Sequence, residues 1–323
     1  MIVDGRSGCG FFVGVVTLFT VLGAQAQTWP AKSVRVVVPF APGGGADLTA
    51  RPVAQKLTEY LGQQFVVDNR GGAAGAIGME IVAKSPADGY TIMVMSSSYS
   101  ATPATHKLPF DLFATTTPVV EVGHTPSVLV AHPSLPVRTV RELIDLARAR
   151  PGQLSYASTG IGGATHLVTE LFASMAKIKM VNVPYKSTGL ATVDVMAGQC
   201  QLMVGSLLGT VAHFRSGKLR ALAVTSARRW YSLPDIPAVA ETLPGYETVV
   251  WYGVWVPRGT PQPTVERLNA TVNRILGDGD IKNWLEKQGM AASGGAPAQL
   301  EERARKDYER WVKVVKDSNI RIE

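Results

Sequence analysis

Val34-Arg35-Val36-Val37-Val38 is a short, mostly β-branched run that stops at Pro39 and a glycine cluster, and a helical pattern starts directly behind it. That strand, glycine loop and helix cycle is what most limits the fold, because it recurs along the chain. Asp47 is placed to cap the first helix, and Leu48, Val53, Leu57 and Leu61 repeat at the spacing that buries one helical face. Phe65-Val66-Val67 then reads as a strand, 70–78 as a glycine-rich loop, 79–84 as a short helix and 91–95 as a strand. Pro86-Ala87-Asp88-Gly89 marks a tight turn between them. Strands that alternate with helices imply an α/β fold with mostly parallel sheets.

A second block opens at Ser127-Val128-Leu129-Val130, passes through an amphipathic helix at 140–150 and reaches the strand Leu154-Ser155-Tyr156-Ala157. Again a glycine loop follows, Ser158-Thr159-Gly160-Ile161-Gly162-Gly163, and then a helix over 164–175. Strands at 181–183 and 201–204 flank a helix over 190–197. Ala221-Leu222-Ala223-Val224, an aromatic strand at 249–256 and helices over 263–276 and 297–316 complete the chain. No flexible linker separates the blocks, so crossing strands are expected to join them. The division is 27–126 plus 226–323 for one lobe and 127–225 for the other.

Arg6 precedes an apolar run at 11–23, and Ala24-Gln25-Ala26 supplies an A-x-A cleavage pattern. The run falls short of the roughly 20 apolar residues that a membrane span needs. Residues 1–26 therefore read as a signal peptide, and the mature chain as an exported, periplasmic protein. Cys9 leaves with that segment, so Cys200 is alone and no internal disulfide is available in an oxidising compartment. Stability must come from burial, and what remains suffices for two lobes of roughly 100 to 150 residues each. The formal charge of +7 is spread among acids, as in Arg303-Ala304-Arg305-Lys306-Asp307, which argues against nucleic acid. A mild positive field favours anionic ligands instead.

Pro39-Phe40-Ala41-Pro42-Gly43-Gly44-Gly45-Ala46-Asp47 lies between a strand and a helix start. Glycines let backbone approach a ligand closely, and the free N–H groups of a helix start favour an anion. The segment lacks the Gly-Lys-Ser/Thr ending of a P-loop and the spacing G-x-G-x-x-G. By itself it fits a tight turn as well as an anion cradle. The second loop, 158–163 before His166, occupies the same topological position and adds hydroxyl groups. In open α/β sheets ligands bind beyond the carboxyl ends of the strands, where both loops would face each other. A carboxylate held by several N–H and O–H donors needs no arginine. His166 and Glu170 stand four apart, a spacing that suits a local ion pair as well as a ligand contact.

Several motifs in family order resemble the tripartite tricarboxylate transporter substrate-binding proteins, the TctC-like or Bug receptors. They are Pro39-Phe40-Ala41-Pro42-Gly43-Gly44 with Asp47 and Arg51, Asn69-Arg70 with Gly72, Gly75, Ile77 and Gly78, and Pro86-Ala87-Asp88-Gly89-Tyr90. Tyr156-Ala157-Ser158-Thr159-Gly160 with His166-Leu167, Val183-Pro184-Tyr185-Lys186, 219–224 and Leu233-Pro234-Asp235-Ile236-Pro237 with Glu241 continue the likeness over the mature chain. The resemblance implies a two-lobed type II periplasmic-binding-protein fold, with two mostly parallel sheets flanked by helices and a hinge between the lobes. It also implies a receptor that captures a small carboxylate, such as a di- or tricarboxylate, an amino acid or an aromatic acid, for membrane transporter subunits. The expected ligand-binding set is Phe40, Ala41, Gly43, Gly44, Asp47, Ser158, Thr159, Gly160 and His166, together with Ser96, Tyr185, Ser187 and Ser206. No cofactor is expected, and such receptors are monomers. Three departures stand out: Ser187 replaces a glycine, Thr102 an asparagine, and Thr115-Thr116 an Asp-Phe pair.

The rival reading is an exported hydrolase acting on a small carboxylated substrate. No G-x-S-x-G, H-E-x-x-H or C-x-x-C motif supports it, and His106, His124, His132, His166 and His213 lack metal-ligand spacing. Asp47 and Asp194 could pair across a cleft as acid and base, or each could support a local turn. Trp251, Tyr252 and Trp255 suit the core or hinge, with ligand stacking as the alternative, also open to Phe40 and Tyr185. The helix at 300–315 is expected to pack on the first lobe.

Overall fold

The computed structural model describes residues 29–317, together with 1, 2 and 5. The signal-peptide reading, with Cys9 and the Ala24-Gln25-Ala26 pattern, lies outside the described residues. The first group of elements is β1 (Val34–Val38), α1 (Gly45–Leu61), β2 (Phe65–Asn69), α2 (Ala76–Ala83), β3 (Thr91–Ser96), α3 (Ser98–Thr105) and α4 (Leu112–Thr115). The long β4 (Thr116–Ala131) leads to α5 (Val140–Ala149), β5 (Ser155–Ser158), α6 (Ala164–Ala176), β6 (Val181–Pro184), α7 (Thr188–Met196), β7 (Leu202–Ser206), α8 (Leu207–Arg215) and β8 (Arg220–Val224). The chain returns through β9 (Val249–Pro257) to α9 (Gln262–Gly277), α10 (Gly279–Lys287), β10 (Ala291–Gly294) and α11 (Pro297–Asp317).

The strands run β2-β1-β3-β9-β4-β7-β5-β6, with β8 and β10 also paired to β4. Each lobe has a parallel portion, β1 with β2 and β3 in one and β5 with β6 and β7 in the other. Every pairing of β4 is antiparallel, as is β3 with β9. The sheets are thus mixed, and the expectation of mostly parallel pairing holds only away from β4 and β9. The reason is the path of the chain. Helical crossovers make neighbours parallel within a lobe, whereas β4 and β9 run between the lobes in opposite senses and must pair antiparallel.

β4 is the element that sequence patterning truncated, because Pro118, Gly123 and Pro126 interrupt the run before Ser127. The strand accommodates them with register shifts at 118–120 and 121–123. Pro126 is the last partner of β9 and Ser127 the first partner of β7, so the proline falls where the strand changes sheets.

Burial follows the two groups. Val34, Val36, Val37 and Val38 pack with Val53, Leu57, Met93 and Trp255 in one core. The second group buries Leu143, Ile144, Leu167 and Phe172 on one side of its sheet and Val128, Ala191, Val195 and Met203 in a further cluster. α5 earns its length locally: Thr139 accepts from Glu142 N–H, and Glu142 reaches back to the Thr139 amide in a capping box. α11 does not pack on the first lobe alone. Leu300 and Ala304 enter the first core, while Trp311 enters the second. Among the described residues no helix is long and apolar enough to cross a membrane.

Trp255 is buried and stacks on Tyr99 with ring centroids 4.3 Å apart and planes at 11°. Replacing Trp255 with Ala should lower unfolding stability by about 3–5 kcal/mol, the usual cost of emptying a large aromatic site. Urea titration followed by far-ultraviolet circular dichroism measures it, and a loss below about 1 kcal/mol would remove the stack from the core.

Candidate functional site

α1 starts at Gly45 with Gly44 as its N-cap, in extended backbone and with no side chain bonded to the helix end. The expectation that Asp47 caps this helix is corrected: the helix begins two residues before it, and its carboxylate does other work. Asp47 Oδ2 accepts from Gly43 N–H at 3.0 Å, and both oxygens hold Arg51 at 2.9 Å. Asn69 donates to Asp47 Oδ1 at 3.0 Å and to Phe40 O at 3.0 Å, which fixes the loop to the end of β2. Burial pushes the Asp47 carboxyl up, but the Arg51, Gly43 and Asn69 hydrogen bonds outweigh it and hold the group below its ordinary value. Asp47 is therefore a charged strut of the loop.

The partner lobe repeats the device. α6 starts after Gly163, again with no side-chain cap, and Thr159 N–H and Oγ1 both meet Thr165 Oγ1 at 2.8 Å. Ser187 caps α7 by accepting from Leu190 N–H at 3.3 Å, and Ser206 is the N-cap residue of α8. On the first lobe Ser96 and Ser98 bring in the start of α3. Five helix N-termini thus converge on one space. It is a small space lined by Phe40, Gly44, Gly45, Ala46, Ser96, Ser98, Thr159, Ala164, Thr165, Thr188, Ser206, Val250 and Tyr252. No lysine, arginine, aspartate or glutamate lines it. The amides of Ala46, Ala164 and Thr165 have no acceptor among the described residues. Unpaired amides at helix starts carry partial positive charge, so this space suits an anion of modest size.

The lobes touch around it. Ala41 N–H donates to Lys186 O at 3.2 Å, Gly45 N–H to Thr188 Oγ1 at 3.3 Å, and Thr105 Oγ1 to Gly162 O at 2.8 Å. Gly45 has to be glycine, because a Cβ there would collide with the Tyr252 hydroxyl. That hydroxyl donates to Ser206 Oγ at 2.8 Å, and burial pushes its pKa up to about 12. The cleft is closed, with a small chamber free of charged side chains at its centre.

A family model, the tripartite tricarboxylate transporter family receptor, matches residues 49–320. The chain belongs to this receptor family. BugT of Bordetella pertussis is 35% identical over 92% of this chain and 93% of its own length. A protein from the tcbD-tcbE intergenic region of Pseudomonas sp. strain P51 is 37% identical over 94% and 92%. Among solved structures, an R. palustris protein with adipate superposes at a TM-score of 0.88 with 39% identity, covering 90% of this chain and 99% of that one. MatC of Rhodopseudomonas palustris with bound malate does so at 0.86 with 31% identity, covering 89% and 100%. The fold is accordingly the two-lobed α/β architecture of periplasmic solute-binding proteins.

Within this receptor the expected set divides. Phe40, Gly44, Ser96, Thr159 and Ser206 line the central chamber. Gly160 and Tyr185 line a neighbouring outer space that shares Phe40 and Thr159 with it. Ala41 and Gly43 have spent their N–H groups on Lys186 O and Asp47. Ser158 turns its hydroxyl to Gly160 O in its own loop, and Ser187 serves α7. Asp194 accepts from the Tyr185 hydroxyl at 2.7 Å, in a network separate from that of Asp47. Thr102 is fully buried and donates to Ala74 O at 2.8 Å, while Thr115 and Thr116 end α4 and open β4, away from the chamber. Sequence reasoning missed Ser98, Ala164, Thr165, Thr188 and Val250, while Gly45 and Ala46 belong to the loop it singled out without being in the expected set. It left Tyr252 between core and cleft, and the structure puts its ring in the core and its hydroxyl in the chamber wall. Among the described residues no cluster of His, Cys, Asp or Glu comes together to hold a metal.

His166 is buried, and its Nδ1 accepts from Gly162 N–H at 2.9 Å. No ion pair with Glu170 forms, since that carboxylate takes the Tyr156 hydroxyl. Burial, helped by nearby His106, pushes the His166 pKa down to about 4 from 6.5. An unfolded chain therefore takes up this proton first, so stability falls as pH drops from 6.5 toward 4. Asp307 works the other way, its carboxyl raised to about 6 by burial, so the comparison must be between variants. Relative to the wild type, His166→Gln should gain stability steadily on acidification through that window. A flat difference in urea unfolding free energy would show that His166 is not held neutral.

Proposed function

We propose that the mature chain is an extracytoplasmic receptor that closes its lobes on a small carboxylate and delivers it to a tripartite tricarboxylate-type membrane carrier. The observation that carries this reading is the convergence of five helix starts on a closed chamber with no charged side chain. A carboxylate there replaces water as the acceptor for the amides of Ala46, Ala164 and Thr165 and the hydroxyls around them, which stabilises the closed arrangement of the lobes. The similar proteins with adipate and malate support a dicarboxylate or a related acid.

The lobes divide, on this reading, into 27–126 with 226–323 and 127–225. Its support is the change of partner within β4 at Ser127, and the bond from Ser127 N–H to Thr225 Oγ1 at 2.9 Å on the returning segment. Residues 1–26 act as the export signal, and the protein works as a periplasmic monomer without a cofactor or nucleic acid.

Capture without turnover is favoured over hydrolysis by the site's chemistry. The chamber holds no histidine and no carboxylate, and the nearby His166 and Asp47 are committed to backbone amides. A serine, a histidine and a carboxylate do meet elsewhere, but Ser293 Oγ donates directly to Glu121 at 2.7 Å, and both lie on the Nδ1 side of His124. That arrangement leaves no base between nucleophile and acid.

Calorimetry of the purified protein against dicarboxylates, tricarboxylates, amino acids and aromatic acids should find at least one ligand, and mass spectrometry should recover it unchanged. Turnover of that acid by the protein alone would contradict the receptor reading. A Cβ on Gly44 would lie 2.9 Å from Thr188 Oγ1. Gly44→Val should therefore hold the lobes apart and weaken binding by more than about a hundredfold, or about 2.7 kcal/mol, with circular dichroism unchanged. Unaltered affinity in this variant would take the first loop out of the site.

A further inference from the structure

β9 separates two spaces. Successive residues of a strand point to opposite faces, so Val250 and Tyr252 line the ligand chamber while Val249 and Trp251 face an open crevice behind it. The first lobe supplies Ser293 and Gly294 of β10 to this crevice, beside Ala292, which packs on the first core. Glu247 lines it as well and is tied to the second core, since the preceding Tyr246 is buried there and its hydroxyl donates to Val168 O of α6 at 3.0 Å.

α11 runs along the crevice from one core to the other. At its start Leu300 enters the first core and Arg303 pairs with Glu121 of β4 at 3.0 Å. Toward its end Arg310 donates to Glu247 O and Trp311 enters the second core. Between these ties Asp307 accepts from the Trp251 indole N–H at 3.2 Å. The crevice is therefore bounded by groups that belong to both cores, as the chamber is.

β4 and β9 cross between the lobes, so a rotation of one lobe against the other is taken up along them. A rotation that widens the space on one face of this strand pair narrows the space on the other. In this structure the lobes touch around the chamber and the crevice behind β9 stands open. Opening the front cleft must bring Glu247 and β10 toward each other.

We infer that the rear crevice is a control point for closure: bulk placed in it blocks the open arrangement and holds the lobes in the closed one. The consequence for ligand affinity rests on the receptor reading above, whereas the effect on the free protein does not. Two positions suit a test without touching the chamber. Glu247 is exposed, and its carboxylate has no partner among the described residues. Glu302 is an exposed residue of α11 that lines the crevice and pairs only with Lys306, a surface contact of little energetic weight.

The test compares the wild type with Glu247→Trp and Glu302→Trp, and with Glu247→Ala and Glu302→Ala, which remove the same charges without adding bulk. Each mature chain is unfolded and refolded to strip bound molecules, and its radius of gyration is measured by small-angle X-ray scattering. Both tryptophan variants should be more compact than the free wild type, and both alanine variants should match it. Calorimetry with adipate and malate should show the tryptophan variants binding about tenfold more tightly, the gain open to a receptor that is about one-tenth closed when free. Tryptophan variants that scatter like the wild type, or alanine variants that compact equally, would overturn the inference while leaving the receptor reading intact. If no variant binds any acid of the wider screen, the receptor reading fails, and the compaction of the free variants still decides the role of the crevice.

Discussion

Glycine in place of a capping side chain at two helix starts is the constraint on which this molecule turns. A helix that begins with serine or aspartate satisfies its own first amides; one that begins with Gly44 or Gly163 leaves them to whatever lies beyond the strand. In isolation that is a cost, because unpaired amides shielded from water are destabilising. Here the cost falls on both lobes at the same place. On the proposed function it is relieved when an acceptor lies between them, which couples closure to ligand capture. The same glycines let the lobes approach, since Gly44 faces Thr188 and Gly45 faces the Tyr252 hydroxyl with no room for a Cβ.

The remainder of the fold keeps these helix starts in register. β4 and β9 lie antiparallel at the centre of the sheet, and Tyr252 on β9 bonds to Ser206 at the start of α8, joining the cleft floor to the opposite lobe. α11 spans both cores through Leu300 and Trp311. Arg303 on this helix pairs with Glu121 of β4 at 3.0 Å, so the helix is tied electrostatically to the crossing strand. Motion between the lobes must therefore bend β4, β9 and the α11 contacts together, which favours a small set of positions over free swinging.

Local pattern made much of this legible. The strands at Val34 and Thr91 and the amphipathic helix at Val140 announce themselves by β-branching, periodicity and a capping pair. The glycine loops announced a backbone site. What was not legible depends on contacts between distant segments. Thr188 reaches the chamber only because the second lobe folds against the first, and Tyr252 could be read as core or cleft but not as a hydroxyl in the chamber wall. Asp47 looked like a cap because acids favour helix starts, but Gly43 N–H and Arg51 claimed its carboxylate. β4 was read short because proline ordinarily ends a strand. A central strand with register shifts and two changes of partner can hold Pro118 and Pro126, and only tertiary pairing reveals it.

The central claim is that an acid is held by uncharged donors at helix starts. A crystal structure of the purified protein with the acid that calorimetry selects tests it directly. The account predicts a carboxylate between the lobes, within hydrogen-bonding distance of the amides at Ala46 and Thr165 and of neighbouring hydroxyl groups, with no arginine or lysine on that carboxylate. An acid paired with a cationic side chain in this chamber, or bound outside the cleft altogether, would contradict it.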